Sequence, residues 1–183
     1  VVNTVICYVN AEYDTNLALF DIATNNITLD CSGSRIFSIT ATDGGNPNPD
    51  TKIIRLTNTK GFIFKNCNFG WYVKAAHIVR SNNTLSYNNS FVNMTDIAIN
   101  LTDGVNFTAI FNNFTNSTRG TVFKTNNFNV TNFSNNNITH LQRGLEFINM
   151  HRNFVFNNTI KNNTRYGILL SNSSNNTITF NNI

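Results

Sequence analysis

The stretch NNTIKNNTRYGILLSNSSNNTITFNN, residues 157–182, holds the pattern that decides the fold. Paired asparagines return there around short runs of β-branched and apolar residues. The same pairs occur earlier in the sequence, and the five pairs that mark the repeat lie at 88–89, 112–113, 136–137, 157–158 and 181–182. A regular step of about 21–24 residues indicates a protein built from stacked structural repeats.

The residues between the asparagine pairs alternate between apolar and polar, as in Ile97, Ile99 and Leu101 or in Phe154 and Phe156. A period of two predicts strands with one buried face. A helical-hairpin repeat needs about 33 residues or more. The leucine-rich consensus and the calcium-binding GGxGxD repeat are also absent from the sequence. We therefore predict an all-β parallel β-helix, or β-solenoid, with about eight coils of about 21–24 residues.

Asparagine makes up about a fifth of the chain, and coil geometry accounts for this abundance. Tight corners between strands need residues that tolerate the left-handed backbone conformation, and asparagine is the best choice after glycine. Where one corner recurs in every coil, the amides stack in a column whose members donate and accept hydrogen bonds. Columns of Phe and Ile are expected to fill the interior in the same way.

The whole chain, residues 1–183, is expected to form a single solenoid domain. Its coils are regular and asparagine-rich over 61–183 and less regular over 1–60. The segment ATDGGNPNPDTK, residues 41–52, collects Gly, Pro, Asp and Asn, and it predicts a loop extruded from one coil. Extruded loops are where a solenoid usually carries a specific function.

Four segments carry a family resemblance: NITLDCSG (26–33), FIFKNCNF (62–69), NNTLSYNNSF (82–91) and the stretch at 157–182. They resemble right-handed parallel β-helix repeat proteins of the pectate-lyase-like superfamily. They are most similar to the asparagine-rich surface repeats of archaea and some bacteria, and to the periplasmic copper-accessory β-helix proteins. The resemblance covers most of residues 25–183 and implies a right-handed coil. It implies no activity, because the repeats are coil geometry.

The ionisable residues give no pattern for catalysis or metal binding. The resemblance implies that enzymes of this fold cluster acids, or acids with Arg and Lys, on an outer sheet. Here only nine acids are present, and after residue 104 only Glu146 remains. The histidines His77, His140 and His151 have no metal-ligand spacing. We predict a protein that is not an enzyme and that binds neither a metal nor a cofactor.

The charge and the hydropathy of the chain limit the kinds of partner that we expect. The net charge is +4, and the basic residues are scattered, so we expect no nucleic-acid partner. No stretch of 18 apolar residues occurs, so we expect no membrane-spanning helix. The neighbours Trp71 and Tyr72 are a candidate for stacking on a sugar ring, the alternative being that they cover the core at a bulge.

Two of the three cysteines, Cys7 and Cys31, lie one period of the repeat apart in the sequence, a separation of about 24 residues. Stacked coils bring such residues within disulfide distance, so we predict a Cys7–Cys31 bridge. The alternative is two small core residues on one ladder. Cys67 is then left over, either buried or available to another chain.

Acceptor motifs for N-linked glycans, N-x-S/T, are about twice as frequent as chance composition gives. They begin at Asn26, Asn82, Asn88, Asn93, Asn100, Asn106, Asn113, Asn116, Asn129, Asn132, Asn137, Asn157, Asn162, Asn172 and Asn175. Their number predicts a glycoprotein outside the cell or on its surface, with a third to a half of the sites modified. The alternative is a bare repeat that couples Asn to Thr.

Neither VVNTVI at the start nor NNTITFNNI at the end of the sequence contains a capping segment. Open coil edges pair with other chains, so we expect each end to be covered by another copy of the chain, or the chain to be one module of a longer surface protein. The favoured function is an extracellular structural protein, archaeal or bacterial, that assembles head to tail into a filament or coat. The first alternative is a carbohydrate-binding module or adhesin, which uses Trp71, Tyr72 and the 41–52 loop to bind extracellular polysaccharide. The second is a polysaccharide lyase or hydrolase.

Overall fold

The structure is a computed structural model that describes residues 18–37, 51–125 and 131–183. Within these ranges the chain forms twenty short strands in three parallel sheets. Consecutive strands belong to different sheets, and each pairs with the strand three places further along the chain. This is the winding of a parallel β-helix, so the predicted fold class is confirmed.

Two of the sheets contain seven strands each, and the third contains six. The first sheet is formed by β1 (Ala18–Ile22), β4 (Lys52–Thr57), β7 (Lys74–Val79), β10 (Ile97–Thr102), β13 (Arg119–Lys124), β16 (Arg143–Ile148) and β19 (Tyr166–Ser171). The second sheet is formed by β2 (Thr28–Asp30), β5 (Ile63–Lys65), β8 (Asn82–Tyr87), β11 (Val105–Ile110), β14 (Thr131–Ser134), β17 (Phe154–Phe156) and β20 (Thr177–Thr179). The third sheet is formed by β3 (Arg35–Phe37), β6 (Asn68–Gly70), β9 (Ser90–Val92), β12 (Asn113–Thr115), β15 (Asn137–Thr139) and β18 (Thr159–Lys161).

The register of the first sheet gives the length of each coil. Successive partners in it are Lys52, Lys74, Ile97, Arg119, Arg143 and Tyr166. Each of these coils therefore takes about 22–24 residues, which is close to the predicted length. The described ranges supply seven strands to a sheet, whereas the sequence predicted about eight coils over the whole chain.

The first described coil is longer than the others, because Asp21 in β1 pairs with Arg55 in β4 across a separation of 34 residues. The excess has the length of an inserted loop. The predicted loop at 41–52 falls in this coil. Its residues 41–50 lie outside the described residues, and Lys52 already belongs to β4.

Side chains of one kind stack from coil to coil in the interior. In the third sheet, Phe69, Phe91 and Phe114 are directly paired and fully buried. Their ring centroids are 5.3 and 4.8 Å apart, with planes inclined by 24° and 9°. Such offset stacking adds to the hydrophobic stabilisation of each ring. Beyond Phe114, the same column continues as Ile138 and Ile160.

The described ranges contain no helix with the length and apolar character needed to cross a membrane.

Candidate functional site

A column of asparagines, buried as far as Asn158 and half-buried at Asn181, runs along the corner between the second and third sheets. Its members are Asn89, Asn112, Asn136, Asn158 and Asn181. The Oδ1 atom of Asn136 accepts a hydrogen bond from the backbone N–H of Asn112 at 2.8 Å and another from its Nδ2 at 3.0 Å. The same two bonds join each of the remaining neighbouring pairs in the column. Each Nδ2 also donates a hydrogen bond to a backbone carbonyl of the preceding coil. The column, which we call the interior ladder, satisfies corner backbone groups that would otherwise be buried without partners.

The sequence marked each asparagine pair without saying which member is buried. It is the second residue in 88–89 and 157–158 but the first in 112–113, 136–137 and 181–182. In each coil the inward asparagine lies two residues before the residue that belongs to the same column as Phe114 and Ile138. Because side chains alternate across a strand, this parity is the signal that identifies the ladder.

The interior ladder begins with a disulfide, which corrects the predicted pairing. Cys31 is bonded to Cys67 with their Cα atoms 4.8 Å apart, so the bridge predicted between Cys7 and Cys31 is wrong, and Cys67 is not left over. The reason is the long first coil, because one turn of the solenoid separates these cysteines by 36 residues instead of the usual coil length. Cys67 occupies the ladder position, since its backbone N–H donates to Oδ1 of Asn89 at 3.0 Å. Cys7 lies outside the described residues.

Residues in the left-handed conformation form four further columns at the corners of the coil. Twenty-two residues other than glycine have φ between 47° and 61°, and fourteen of them are asparagines. This confirms the role that the sequence analysis gave to asparagine at corners. Eight corner residues are of other types, among them Trp71, Phe111 and Phe180. A bulky side chain is disfavoured in this conformation by about 1–2 kcal/mol. These aromatic corners are therefore exceptions that local backbone preference does not explain.

The glycan acceptor asparagines are separated from the ladder asparagines. None of the fourteen acceptors in the described ranges is buried, whereas Asn89, Asn112, Asn136 and Asn158 are each only 2 % or less exposed. Asn93, Asn100 and Asn113 are half-buried, and the other eleven are exposed. The ladder asparagines begin no N-x-S/T motif. Asn129 lies outside the described residues.

Many acceptor asparagines already use their amide nitrogen in hydrogen bonds on the outer surface. Nδ2 of Asn88 donates to Oδ1 of Asn66 at 2.9 Å, and Nδ2 of Asn137 donates to Oδ1 of Asn113 at 2.8 Å. Asn106, Asn157 and Asn172 donate in the same way to the asparagine one coil earlier. A glycan attaches to this nitrogen, so the acceptors differ in how freely it is presented.

An open groove of about 530 Å³ lies on the outside of the same corner. We call it the corner groove, and its walls include Asn66, Asn68, Asn88, Ser90, Phe111 and Asn113. No lining side chain is charged. Phe111 is 53 % exposed, and the Tyr87 ring stands edge-on to it at 5.8 Å and 90°. The groove thus combines amide groups with an exposed aromatic face, which is the chemistry that binds neutral sugars.

Four acids of the described ranges are individually paired with cations. Ion pairs join Asp21 to Arg55, Asp30 to Lys65, Asp96 to Arg119 and Glu146 to Arg143. The pKa of Asp30 is lowered to about 2, mainly by a hydrogen bond from the Asn66 side chain, with further bonds from the Ser32 backbone and Lys65. The hydrogen bond from Arg55 likewise lowers the pKa of Asp21. Three of the four pairs link neighbouring coils, which is a structural use of the charges.

The histidines lie on different parts of the coil surface. His77 is in β7, Nδ1 of His151 is 2.7 Å from the hydroxyl of Ser174, and His140 is a corner residue whose Nε2 is 3.3 Å from Nδ2 of Asn162. No group of three or more His, Cys, Asp and Glu side chains is arranged to hold a metal ion in the described part of the chain.

The structure separates the two candidate sugar-stacking residues. Trp71 is 40 % exposed at a left-handed corner. Tyr72 is half-buried and packs against the core. The two aromatics therefore do not form one exposed surface.

The comparison with protein families agrees with this geometry. A family model described as the right handed beta helix region matches residues 25–183. The comparison with curated proteins returns no match.

Proposed function

The chain belongs to the right-handed β-helix family, and within it we propose an extracellular structural protein: a glycosylated β-solenoid that stacks end to end into a surface filament or coat. The observation that carries the proposal is the separation of the asparagines. Acceptor motifs stand on the outside of the coil, and the buried ladder residues begin none. Such a chain accepts many glycans without losing its interior hydrogen bonds.

The disulfide between Cys31 and Cys67 supports the extracellular location. Structural disulfides form and persist in oxidising compartments, and they are rare where thiols are kept reduced. The acceptor motifs and the disulfide are independent features of the chain, and both favour secretion.

Stacking is supported by the coil that contains β19 and β20. In the column of Phe147, which is fully buried, the next residue Leu170 is 41 % exposed, and Ile178 is similarly open beside the buried Val155. Inward-facing side chains are thus exposed together with the hydrogen-bonding edges of the strands. An added coil would supply both partners, and in the proposed filament a second copy of the chain provides that coil.

Mass spectrometry of native material tests the glycosylated part. We expect an intact mass above the 20.6 kDa of the bare polypeptide, in steps of hexose and hexosamine residues. A native mass equal to that of the polypeptide would contradict glycosylation.

Light scattering and negative-stain images of the purified chain test stacking. We expect a mass series in steps of one chain, which Ile178→Asp abolishes because the charge enters the stacking face. Phe154→Asp is the matched control, since Phe154 is exposed on the outer face of the second sheet. A monomer at all concentrations, or equal loss in both variants, would count against stacking. Turnover of an acidic polysaccharide would contradict the proposed non-catalytic role.

One observation favours carbohydrate binding as a second candidate function. Trp71 is exposed at a corner where four later coils have Asn or His, so its ring is presented to solvent at a backbone cost. Binding on a glycan array that Trp71→Ala removes and Tyr72→Phe retains would support an adhesin. Binding unaffected by Trp71→Ala would exclude this role for the residue.

A further inference from the structure

The corner groove contains one acceptor asparagine whose environment differs from the others. Asn113 begins the motif Asn113-Phe114-Thr115, and Phe111 lies two residues before it. The residue between them, Asn112, points into the interior ladder. Phe111 and Asn113 therefore both face outward, and both line the corner groove.

The hydrogen bonding of Asn113 leaves its nitrogen available. Its Oδ1 accepts from Nδ2 of Asn137, one coil further on, at 2.8 Å. Because an amide is planar, its Nδ2 is directed the other way, toward Ser90 of the preceding coil. Within the described residues this nitrogen donates no hydrogen bond. Ser90 is the short member of a column that also contains Asn68, Asn113 and Asn137, so the residue that precedes Asn113 in this column carries no side-chain amide.

The other acceptor in the corner groove is presented differently. Nδ2 of Asn88 is engaged with Oδ1 of Asn66 at 2.9 Å. A glycan on Asn88 would replace a hydrogen of a nitrogen that already donates to the preceding coil, whereas the nitrogen of Asn113 donates to no described residue. Both asparagines line the corner groove.

Phe111 completes the site. Its left-handed backbone and its exposure are both unfavourable for a free phenylalanine, and Asn66, Asn88 and Asn135 fill the equivalent corners in neighbouring coils. The Tyr87 ring lies 5.8 Å from the Phe111 ring and at 90° to it, and Phe111 remains 53 % exposed. The C–H face of a pyranose packs on such a ring, which removes its apolar surface from water.

We infer that Asn113 carries an N-linked glycan whose first pyranose lies in the corner groove against Phe111. This inference rests on the proposed extracellular, glycosylated function. In the attachment, Nδ2 of Asn113 loses a proton and bonds to the anomeric carbon of a glycan on a polyprenyl-phosphate carrier. The bond from that carbon to the phosphate oxygen breaks, and the lipid phosphate leaves with the electron pair. The secretory membrane supplies this lipid-linked donor, and its transferase catalyses the transfer.

Site-resolved glycopeptide mass spectrometry on the full chain, secreted from a host that glycosylates asparagine, tests the site. We expect occupied Asn113 and unoccupied Asn88. If Asn113 is bare while other acceptors are occupied, the inference is wrong and the proposed function stands. If no acceptor is occupied, the glycosylated function fails together with it.

A thermal-unfolding cycle tests the contact with Phe111. Thr115→Val removes the motif and keeps Asn113, and Phe111→Asn replaces the ring by the residue found at neighbouring corners. We expect Thr115→Val to lower Tm by about 3 °C with Phe111 present, because the stacked sugar is lost, and to have little effect in the Phe111→Asn background. Phe111→Asn suits the left-handed corner, so folding is retained. Equal effects in both backgrounds would overturn the stacking.

Discussion

The two ends of the interior ladder solve the same problem by different chemistry. In the early coils Cys31 and Cys67 join neighbouring turns by a covalent bond, and from Asn89 onward each turn is joined to the next by amide hydrogen bonds. The difference follows coil length. The amide bonds of the ladder join asparagines 22–24 residues apart. The disulfide closes the coil in which paired residues of β1 and β4 are 34 residues apart. The long coil still brings this corner to stacking distance, because the Cα atoms of Cys31 and Cys67 are 4.8 Å apart.

The two linkages also stabilise the protein in different ways. An amide ladder stabilises the folded state, because it pairs buried backbone groups that water cannot reach. A disulfide acts mainly on the unfolded chain by restricting its freedom. Loss of a ladder amide is therefore expected to disturb the neighbouring coils, and loss of the disulfide to release the first coil.

The largest effect is expected from Asn136→Ala, in the middle of the ladder. The change removes the acceptor for two donors of Asn112 and the Nδ2 donor to the carbonyls of Ala109 and Ser134. Buried groups without partners cost about 1–3 kcal/mol each, so we expect the free energy of unfolding to fall by about 4 kcal/mol. Urea denaturation measures it. Asn137→Ala, on the exposed side of the same pair, is the control and should change stability by less than about 1 kcal/mol.

The double change Cys31→Ser with Cys67→Ser is expected to have the next largest effect. A 36-residue loop closed by a disulfide contributes about 3–4 kcal/mol in the chain-entropy model. The loss should be local, so hydrogen exchange should rise in β2 and β3 and stay slow in β12 and β15. If hydrogen exchange became equally faster in all coils, the disulfide would not act on the early coils alone, which would contradict the proposed difference between the two ends of the ladder.

A column of inward residues in the first sheet differs between the early and the later coils. Each member directly follows one of the paired residues that give the coil length in the first sheet, and the members are Ile53, Ala75, Ala98, Gly120, Gly144 and Gly167. The side chains in this column therefore become smaller toward the later coils. A Cβ on Gly144 would collide with the backbone carbonyl oxygen of Gly167. We expect Gly144→Ala to lower the free energy of unfolding by about 2 kcal/mol, since backbone must move. Urea denaturation measures the loss.

The control for that prediction is Gly167→Ala. There the nearest atom is Cγ2 of Ile160 at 3.0 Å, which belongs to a side chain that can adjust. Its measured loss should be smaller than that of Gly144→Ala. Equal losses would indicate that the backbones of adjacent coils are not in closer contact at Gly144.

The smallest effect is expected from pH, at the turn beside the disulfide. Asp30 has a pKa of about 2 in the folded chain, below its usual value, so its bonds stabilise the fold above about pH 4 and are lost as pH falls toward 2. We expect Tm to decline over this interval and Asp30→Asn to flatten part of the decline. Calorimetry from pH 5 to 2 measures both. An unchanged slope in the variant would indicate that other carboxylates dominate.

Most of the fold followed from periodicity. The asparagine steps and the alternation of Ile97, Ile99 and Leu101 predicted stacked strands, because a repeated corner and a buried face each impose a fixed spacing on the chain. Coil length was predicted closely for this reason. The long first coil was not, since an inserted segment breaks the spacing that the prediction uses.

The sequence predicted the candidate site less completely than it predicted the fold. The acceptor motifs are local, so they could be read directly, and the parity of Phe114 and Ile138 could have separated Asn112 and Asn136 from their neighbours. The disulfide partner of Cys31 depends on how many residues one turn contains. The corner groove depends on Ser90 and Phe111 in adjacent coils, which no local pattern relates.

The sequence by itself determined that this chain winds as a parallel solenoid with asparagine at its corners, because those features repeat along the chain and need no knowledge of distant contacts. The tertiary structure alone decided which asparagines are buried, which cysteines join and where Phe111 meets Tyr87 of the preceding coil. These outcomes depend on the register between coils. That register is set by the summed packing of all the columns, so it is a property of the stack and of no single segment.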